Sequence, residues 1–199
     1  FNFPIDNRRT SGFLVPTMGY TNDGGIQLSV PYYFNLAPNY DLTLTPRYLN
    51  RRGLMMHGDF RFLTEDFGGG EFRGGYLPSD GLFENNDRKQ ASFLYDWQIT
   101  DSLRSNVDYN YVSDKDYFSD LGTDPSSKNI LNQERTWSLF YENGIPGLTG
   151  QFRVQSFQTV DKSTPDANKP YARLPQLLLN YRTGSAFGMQ YDASNDTAY

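Results

Sequence analysis

The single histidine is the first residue that could do chemistry, because any serine–histidine–aspartate arrangement would have to include it. His57 alternates with Asp59 and Arg61, which places it on the polar face of a predicted strand. A histidine on a polar strand face is ordinary and needs no catalytic role. We therefore predict that the chain is not an enzyme and has no catalytic residue.

Two other patterns resemble ligand sites but lack essential parts. Asp114, Asp116 and Asp120 lack the glycine and the terminal glutamate of a calcium-binding loop, and solvation in a polar loop explains them. Gly68–Gly70 and Gly74-Gly75 do not stand between a strand and a helix, as a phosphate-binding loop would. Relief of crowding or a bulge accounts for these glycines better. With no cysteine in the chain, we predict no metal site and no cofactor.

The composition excludes several classes of protein to which these residues could belong. The 199 residues are 37% hydrophobic and 16% aromatic, which excludes intrinsic disorder. No stretch approaches the ~18–20 apolar residues that a membrane-spanning helix needs. The net charge of -5 offers no basic field for nucleic acid. At about 150 residues per domain, the length indicates one domain or part of a larger one.

The dominant pattern is an alternation of apolar and polar residues with a period of two. Between Ile26 and Leu36 every even position is apolar, and the odd positions are largely polar. The runs Tyr40–Tyr48, Ala91–Ile99 and Leu103–Tyr111 repeat it. Weaker runs occupy Phe13–Tyr20, Leu54–Leu63, Glu71–Leu77, Arg135–Glu142, Phe152–Val160, Leu174–Arg182 and Phe187–Tyr191. This predicts an all-β fold of roughly ten or eleven antiparallel strands in an up-and-down meander.

Turn-forming residues separate the predicted strands. Asn22–Gly25, Arg51–Gly53 and Asn143-Gly144 contain glycine or asparagine, which tolerate positive φ. Two longer polar segments, Ser79–Arg88 and Ser113–Gln133, are predicted to be exposed loops. No window carries a helical period, so no helix is predicted.

Strand length favours a membrane barrel, although alternation alone also fits a soluble sandwich. At ~3.3 Å per residue the Ile26–Leu36 run covers ~33 Å. A tilt of ~40° projects that length to ~25 Å, the height of the apolar band of an outer-membrane barrel. Tyr40 and Tyr48 bracket their run, as girdle aromatics do. Charges on the opposite face, such as Asp41 and Arg47, suit a water-filled lumen, or the solvent around a sandwich.

An open meander in lipid would leave two unpaired strand edges, which is not viable. The sheet must close on itself or belong to a larger barrel. The chain begins at Phe1 rather than at Met, and ends in the run Phe187–Tyr191 followed by Ala193–Asp196. We therefore expect residues 1–199 to be one partial barrel domain, cut from a longer protein.

Pro16 and Pro31 each interrupt an otherwise good strand, and they fall in the first and second strands. Proline cannot donate to a ladder, so positions where no acceptor is lost are the ordinary explanation. The alternative is that both prolines weaken a seam, since each lost ladder bond forgoes ~0.5–1.5 kcal/mol. Pro46 is a third proline, on strand three, for which the sequence offers no functional account.

Several strings in the first eighty residues resemble the LptD family of lipopolysaccharide assembly proteins. The resemblance is carried by Arg9–Pro16, Pro31–Asp41, Thr43–Tyr48, Arg52-Gly53, Phe60–Leu63 and Tyr76–Asp80, and more weakly by Asn106–Tyr109 and Val112–Asp114. The second and third strings read PYYFNLAPNYD and TLTPRY. Tight similarity covers about Arg9 to Asp80.

The resemblance implies a transmembrane β-barrel in the outer membrane of a Gram-negative bacterium, of which this chain is the first part. It implies a periplasmic jellyroll domain and later barrel strands outside the chain, the lipoprotein LptE as a plug, and periplasmic bridge proteins that supply lipopolysaccharide. It also implies that lipopolysaccharide leaves sideways between the first and last strands. Pro16 and Pro31 match the family's prolines at this lateral gate.

One other function shares these strands. A passive outer-membrane channel or receptor barrel would have the same apolar exterior and polar lumen. Only the placement of the prolines and the strings that resemble the family argue against a passive channel or receptor.

Overall fold

The computed structural model describes residues 9–21, 24–122, 130–182 and 192–198. The strand segments are β1 Gly12–Phe13, β2 Thr17–Thr21, β3 Gly25–Ser29, β4 Tyr32–Ala37, β5 Tyr40–Leu49, β6 Gly53–Leu63, β7 Gly69–Leu77, β8 Arg88–Thr100, β9 Leu103–Val112, β10 Asn132–Tyr141, β11 Leu148–Thr159, β12 Arg173–Arg182 and β13 Asp192–Ala198. The helices are α1 Tyr117–Leu121 and a 3-10 turn, Asp166–Asn168. No helix in the described ranges is long and apolar enough to cross a membrane.

The strands form one antiparallel sheet in which neighbours in the chain are neighbours in space. β1 pairs with β4, and β2 pairs with β3, so β1 and β2 make one interrupted strand. We call it strand one, and β3 with β4, which pair with β5, strand two. From β5 onward the order is that of the sequence. The predicted meander of ten or eleven strands is therefore confirmed for the described residues.

Contacts divide the chain into two compact units, each considered by itself. The first comprises the described residues within Phe1–Leu63, Glu71–Ser92 and Tyr111–Asn129. The second comprises those within Thr64–Gly70, Phe93–Asn110 and Ile130–Tyr199. The prolines of strands one and two, His57 and α1 all belong to the first unit.

The predicted turns lie where the sequence placed them. Gly53 begins β6 with a φ of 127°, and Asn143 lies between β10 and β11 with a φ of 61°. Both values fall where glycine and asparagine are tolerated best. Of the Asn22–Gly25 turn, the first two residues lie outside the described ranges, and Gly25 has a φ of 72°.

Two expectations differ from the structure. The last described strand, β13, includes Ala193–Asp196, which lie beyond the predicted run Phe187–Tyr191. That run is outside the described residues. β13 pairs with β12 along its whole length, and ladder pairing accommodates small polar side chains that have low strand propensity. The second difference is α1, which lies in a segment predicted to be a loop without helix.

Burial is inverted relative to a soluble sheet. Leu28 and Leu54, on the apolar face, are 39% and 52% exposed. Asp41 and Arg47, at alternate positions of β5, are only 5% and 3% exposed. A sandwich would bury the leucines and expose the charges. The inversion supports a lipid-facing apolar surface and a covered polar surface.

The two faces of β5 can be separated by one pair of substitutions. Leu44 points to the apolar face midway along β5, so Leu44→Arg in the full-length protein should lower the free energy of unfolding in lipid vesicles by about 2–4 kcal/mol. Thr43→Arg, on the polar face one residue away, should cost far less. Equal tolerance of the two arginines would contradict the face assignment.

Candidate functional site

The ladder between strands one and two is interrupted midway. The Leu14 N–H donates to the Pro31 carbonyl at 2.9 Å, the last bond before the break. Pairing resumes in β2 with the register shifted by one residue. Val15 and Pro16 therefore lie together opposite Val30, as in a β-bulge. The structure thus places Pro16 at one of the positions where a strand tolerates proline.

Pro31 removes a bond from the same ladder. In a hydrogen-bonded antiparallel pair the two residues exchange two N–H···O bonds. Leu14 donates to Pro31, but residue 31 has no N–H with which to return the bond. The Leu14 carbonyl therefore has no ladder donor at this position. Pro16 and Pro31, predicted as a pair, meet at one level of two adjacent strands.

A groove of about 490 Å³ lies over the polar face at this level. Its lining includes Pro31, Thr45, His57, Asp59 and Arg73. Hydroxyl, imidazole and charged groups together can exchange hydrogen bonds with water or with a hydroxyl-rich molecule. The groove therefore offers hydrogen-bonding groups at the level of Pro31.

His57 lines this groove but takes part in no catalytic relay that the described residues show. Its Nε2 is buried without a hydrogen-bond partner, and no bond joins the ring to a described serine or aspartate. Across residues 9–21, 24–122, 130–182 and 192–198, no group of three or more His, Cys, Asp or Glu side chains could hold a metal.

A cluster of buried and half-buried charges, which we call the latch, consists of Arg52, Asp80, Arg88, Asp114 and Asp120. Arg88 is fully buried, and its Nη1 lies 3.1 Å from Asp80 Oδ2 and 2.7 Å from Asp120 Oδ2. Its Nη2 lies 2.6 Å from Asp114 Oδ1. Arg52 Nη1 lies 2.7 Å from Asp80 Oδ2. The latch joins the β7–β8 connection to the segment that carries α1.

The latch holds α1 against the polar face of the first unit. Arg47 of β5 donates from Nη1 to the Leu121 carbonyl at 2.6 Å. A side chain at Gly75 of β7 would place Cβ only 2.6 Å from the Tyr117 hydroxyl. The glycine thus makes room for a buried tyrosine, which confirms relief of crowding as the explanation for this position.

Sequence analysis missed the latch. The two segments predicted to be exposed loops lie largely between strands, and most of Ser79–Arg88 is exposed, but the charged residues of the latch are not. Asp80 and Arg88, both in the segment predicted to be exposed, are fully buried. Asp114 was attributed to solvation but is paired with Arg88. Aspartates in both loops and an arginine at a loop end were visible signals. They do not reveal burial, because that depends on which distant segments meet.

Two groups near the latch have shifted acid–base behaviour. Burial opposes ionisation of Asp114, but hydrogen bonds from Arg88 and Ser113 outweigh it and hold the pKa of this carboxyl below its usual range. Burial raises the pKa of the Tyr117 hydroxyl. Asp114 is therefore ionised at neutral pH and Tyr117 is neutral.

Long alternating strands in a meander, with an exposed apolar face and a covered polar face, define the chain as part of an outer-membrane β-barrel. The profile of the LptD family, described as "LPS transport system D", matches residues 86–199. The chain belongs to the LptD family. The match covers the half of the chain in which the sequence strings were weakest.

Curated relatives match the chain over its whole length. LPS-assembly protein LptD of Acinetobacter baumannii is 59% identical over 199 residues, that of Acinetobacter baylyi 58%, and that of Psychrobacter cryohalolentis 42% over 207 residues. The matches cover 100% of this chain but only 24%, 24% and 21% of those proteins. A crystal structure of Pseudomonas aeruginosa OccK3 (OpdO) has a TM-score of 0.40 at 16% identity, covering 88% of this chain and 52% of that one.

Loss of the central arginine of the latch should release α1. In the full-length protein, Arg88→Met leaves buried carboxylates without their partner, which costs about 3–5 kcal/mol. We expect the opening free energy of the α1 amides, measured by hydrogen exchange, to fall by a similar amount. Arg104→Met is the matched control, because the Arg104–Asp96 pair is half-exposed and worth about 0–1 kcal/mol. Equal protection of α1 in both variants would refute the latch.

The latch should also weaken in acid. A carboxyl whose pKa is lowered by folding adds stability above its unfolded pKa of about 3.9, and the stability is lost as the pH falls through the folded value. A spin label at Lys115→Cys should therefore be immobile at neutral pH and become mobile below about pH 4. A label at Lys89→Cys reports whether the sheet stays intact. Asp114→Asn should mobilise the Lys115 label already at neutral pH, and an immobile label there would contradict the assignment.

Proposed function

We propose that this chain forms the first part of a barrel that delivers lipopolysaccharide to the outer leaflet of the outer membrane, and that strand one borders the lateral exit. The chain spans about a quarter of the relatives it matches, so the activity of the whole protein belongs to the proposal. The family and the names of the relatives support the cargo. The observation that supports a lateral exit at strand one is the interrupted ladder between strands one and two.

The chemistry of the cargo explains why a seam is needed. Lipopolysaccharide has a sugar-bearing, charged part and several acyl chains. The sugars favour a polar lumen, while the acyl chains favour lipid. A protein that moves both parts together needs a wall that opens along its length. The groove beside Pro31 lies on the polar side of such a wall.

Strand one is suited to be the edge that opens. Among the described residues, β1 pairs only with β4 and β2 only with β3, so strand one has a ladder on one side. Its other edge, in this proposal, pairs with the last strand of the complete barrel, which lies outside this chain. The bulge at Pro16 interrupts the ladder to strand two, and the missing donor at Pro31 forgoes ~0.5–1.5 kcal/mol, and more in lipid, so strand one is held less firmly where it borders the exit.

The partners follow from the family resemblance. We propose that residues 1–199 are one partial barrel domain, that a periplasmic jellyroll domain receives lipopolysaccharide from bridge proteins, and that LptE plugs the barrel. Outer-membrane barrels have short periplasmic turns and longer extracellular loops. The longer β7–β8, β9–β10 and β11–β12 connections share one end of the meander, which would then face the cell exterior.

Crosslinking in cells tests the exit. A photoreactive residue replaces Leu14, beside the interruption, or Phe93, on the apolar face of β8, in the full-length protein. We expect a lipopolysaccharide adduct at Leu14 and none at Phe93. Restoring both donors with Pro16→Ala and Pro31→Ala should strengthen the ladder, lower the Leu14 adduct and impair lipopolysaccharide delivery.

Protein levels and assembly must be equal in all strains, because a barrel that fails to assemble also fails to transport. Equal adducts at Leu14 and Phe93 would indicate contact with bulk lipid alone. Normal lipopolysaccharide delivery in the double variant would contradict the proposed role of the prolines. An assembled protein without adducts at either position would favour a passive channel or receptor.

A further inference from the structure

Pro46 stands at the same level as the two seam prolines, one strand further from the edge. The Val30 N–H donates to the Pro46 carbonyl at 3.1 Å. The return bond, from residue 46 to the Val30 carbonyl, cannot form because proline has no N–H. Strand two thus loses one bond to β5, in addition to the one it loses to strand one at Pro31.

The three prolines therefore define a line across three strands rather than a single weak edge. The bulge at Pro16 lies opposite Val30, Pro31 is the next residue of strand two, and Pro46 faces Val30 from the other side. The strand segments also stop there, since β3 ends at Ser29 and β4 begins at Tyr32. On both sides of strand two, the ladder is weakest at Val30 and Pro31.

We infer that Pro46 is a third gate residue, a positioning residue that makes this line a hinge. The strands β2 and β3, residues 17–21 and 25–29, swing as one piece about the line, while β1 and β4 stay in the sheet. The purpose of the swing rests on the proposed function, but the hinge is a property of the sheet and exists without cargo. If strand one alone opened, a proline on β5 would serve no purpose in the gate.

The contacts of the hairpin indicate what the swing must break. β3 pairs with β5 at three positions, Gln27↔Leu49, Leu28↔Tyr48 and Ser29↔Arg47. Two more backbone bonds join the hairpin to the turn after β5, from the Asn50 N–H to the Ile26 carbonyl at 3.0 Å and from the Arg51 N–H to the Gly24 carbonyl at 3.4 Å. Arg47 Nη2 donates to Gln27 Oε1 at 2.6 Å, and Arg47 Nη1 donates to the Leu121 carbonyl. The same arginine therefore ties both the hairpin and α1 to β5, and movement of the hairpin away from β5 must break its bond to Gln27.

Hydrogen exchange of the purified full-length protein tests the hinge without lipopolysaccharide. Pro46→Ala supplies the missing donor to Val30, so the Val30 and Leu28 amides should exchange about 2- to 10-fold more slowly. The Phe34 amide, on the other side of the line, should change little. Pro78→Ala is the control, because Pro78 is exposed and lies outside the sheet. Unchanged exchange at Val30 in Pro46→Ala overturns the hinge.

Two cysteine pairs test which segment moves. Leu28→Cys with Tyr48→Cys ties the hairpin to β5 above the line, and Phe34→Cys with Leu42→Cys ties β4 to β5 below it. Residues 1–199 contain no cysteine, and the full-length protein without the introduced pairs, oxidised and reduced in the same way, is the control for thiols elsewhere. Oxidation of the upper pair should block lipopolysaccharide delivery and reduction should restore it, whereas the lower pair should have no effect.

The outcomes separate the hinge from the proposed function. If strand one opens alone, neither lock blocks delivery although the Pro16→Ala, Pro31→Ala variant still does, and the inference is overturned. If both locks block delivery, the line is not the boundary of the moving segment, which also overturns it. Slower exchange in Pro46→Ala together with normal delivery in every variant and lock supports the hinge and overturns the lateral exit.

Discussion

The need to pair every backbone N–H and C=O in lipid governs this structure. Hydrocarbon offers no water to a carbonyl that has lost its donor, so a spanning sheet must satisfy its bonds by its own ladders. The long strands and short turns of the meander follow from that need. Because of the same constraint, the places where pairing fails have a physical consequence. A missing donor that a soluble protein would replace with water becomes a local weakness in a membrane wall, and the irregularities at Pro16, Pro31 and Pro46 lie together around Val30.

Membrane solvation also explains the inverted burial. The leucines and aromatics of the apolar face need no protein partner, because lipid is their solvent. Charges on the other face pair with one another, and some of them are buried, as Asp41 and Arg47 are, while Arg61, the partner of Asp41, is half-exposed. The latch concentrates this pairing in a buried arginine that contacts three aspartates from two connections. Arg47 then links α1 to the edge hairpin, so the covered polar face and the weak line are joined through one side chain.

Local pattern predicted most strands to within a few residues, since the period of two is set by the pleat and is read directly from apolar positions. It also identified Pro16 and Pro31, because proline is incompatible with a regular ladder wherever it stands. It missed the burial of Asp80 and the pairing of Asp114, because both lie in segments whose composition is that of solvated loops. Polar composition indicates exposure only when no distant charge is brought near, and Arg88 is brought near by the fold.

What the sequence determined by itself was the all-β meander, the two faces of its strands and the strands that contain prolines. Each of these depends on neighbouring residues and on backbone chemistry. Only the tertiary structure decided that Pro16 lies in a bulge, that Pro31 and Pro46 remove donors on opposite sides of one strand, and that Arg88 is buried among aspartates. These facts depend on register and on contacts between segments far apart in the chain. A shift of one residue in register would change every such partner, and composition does not encode register.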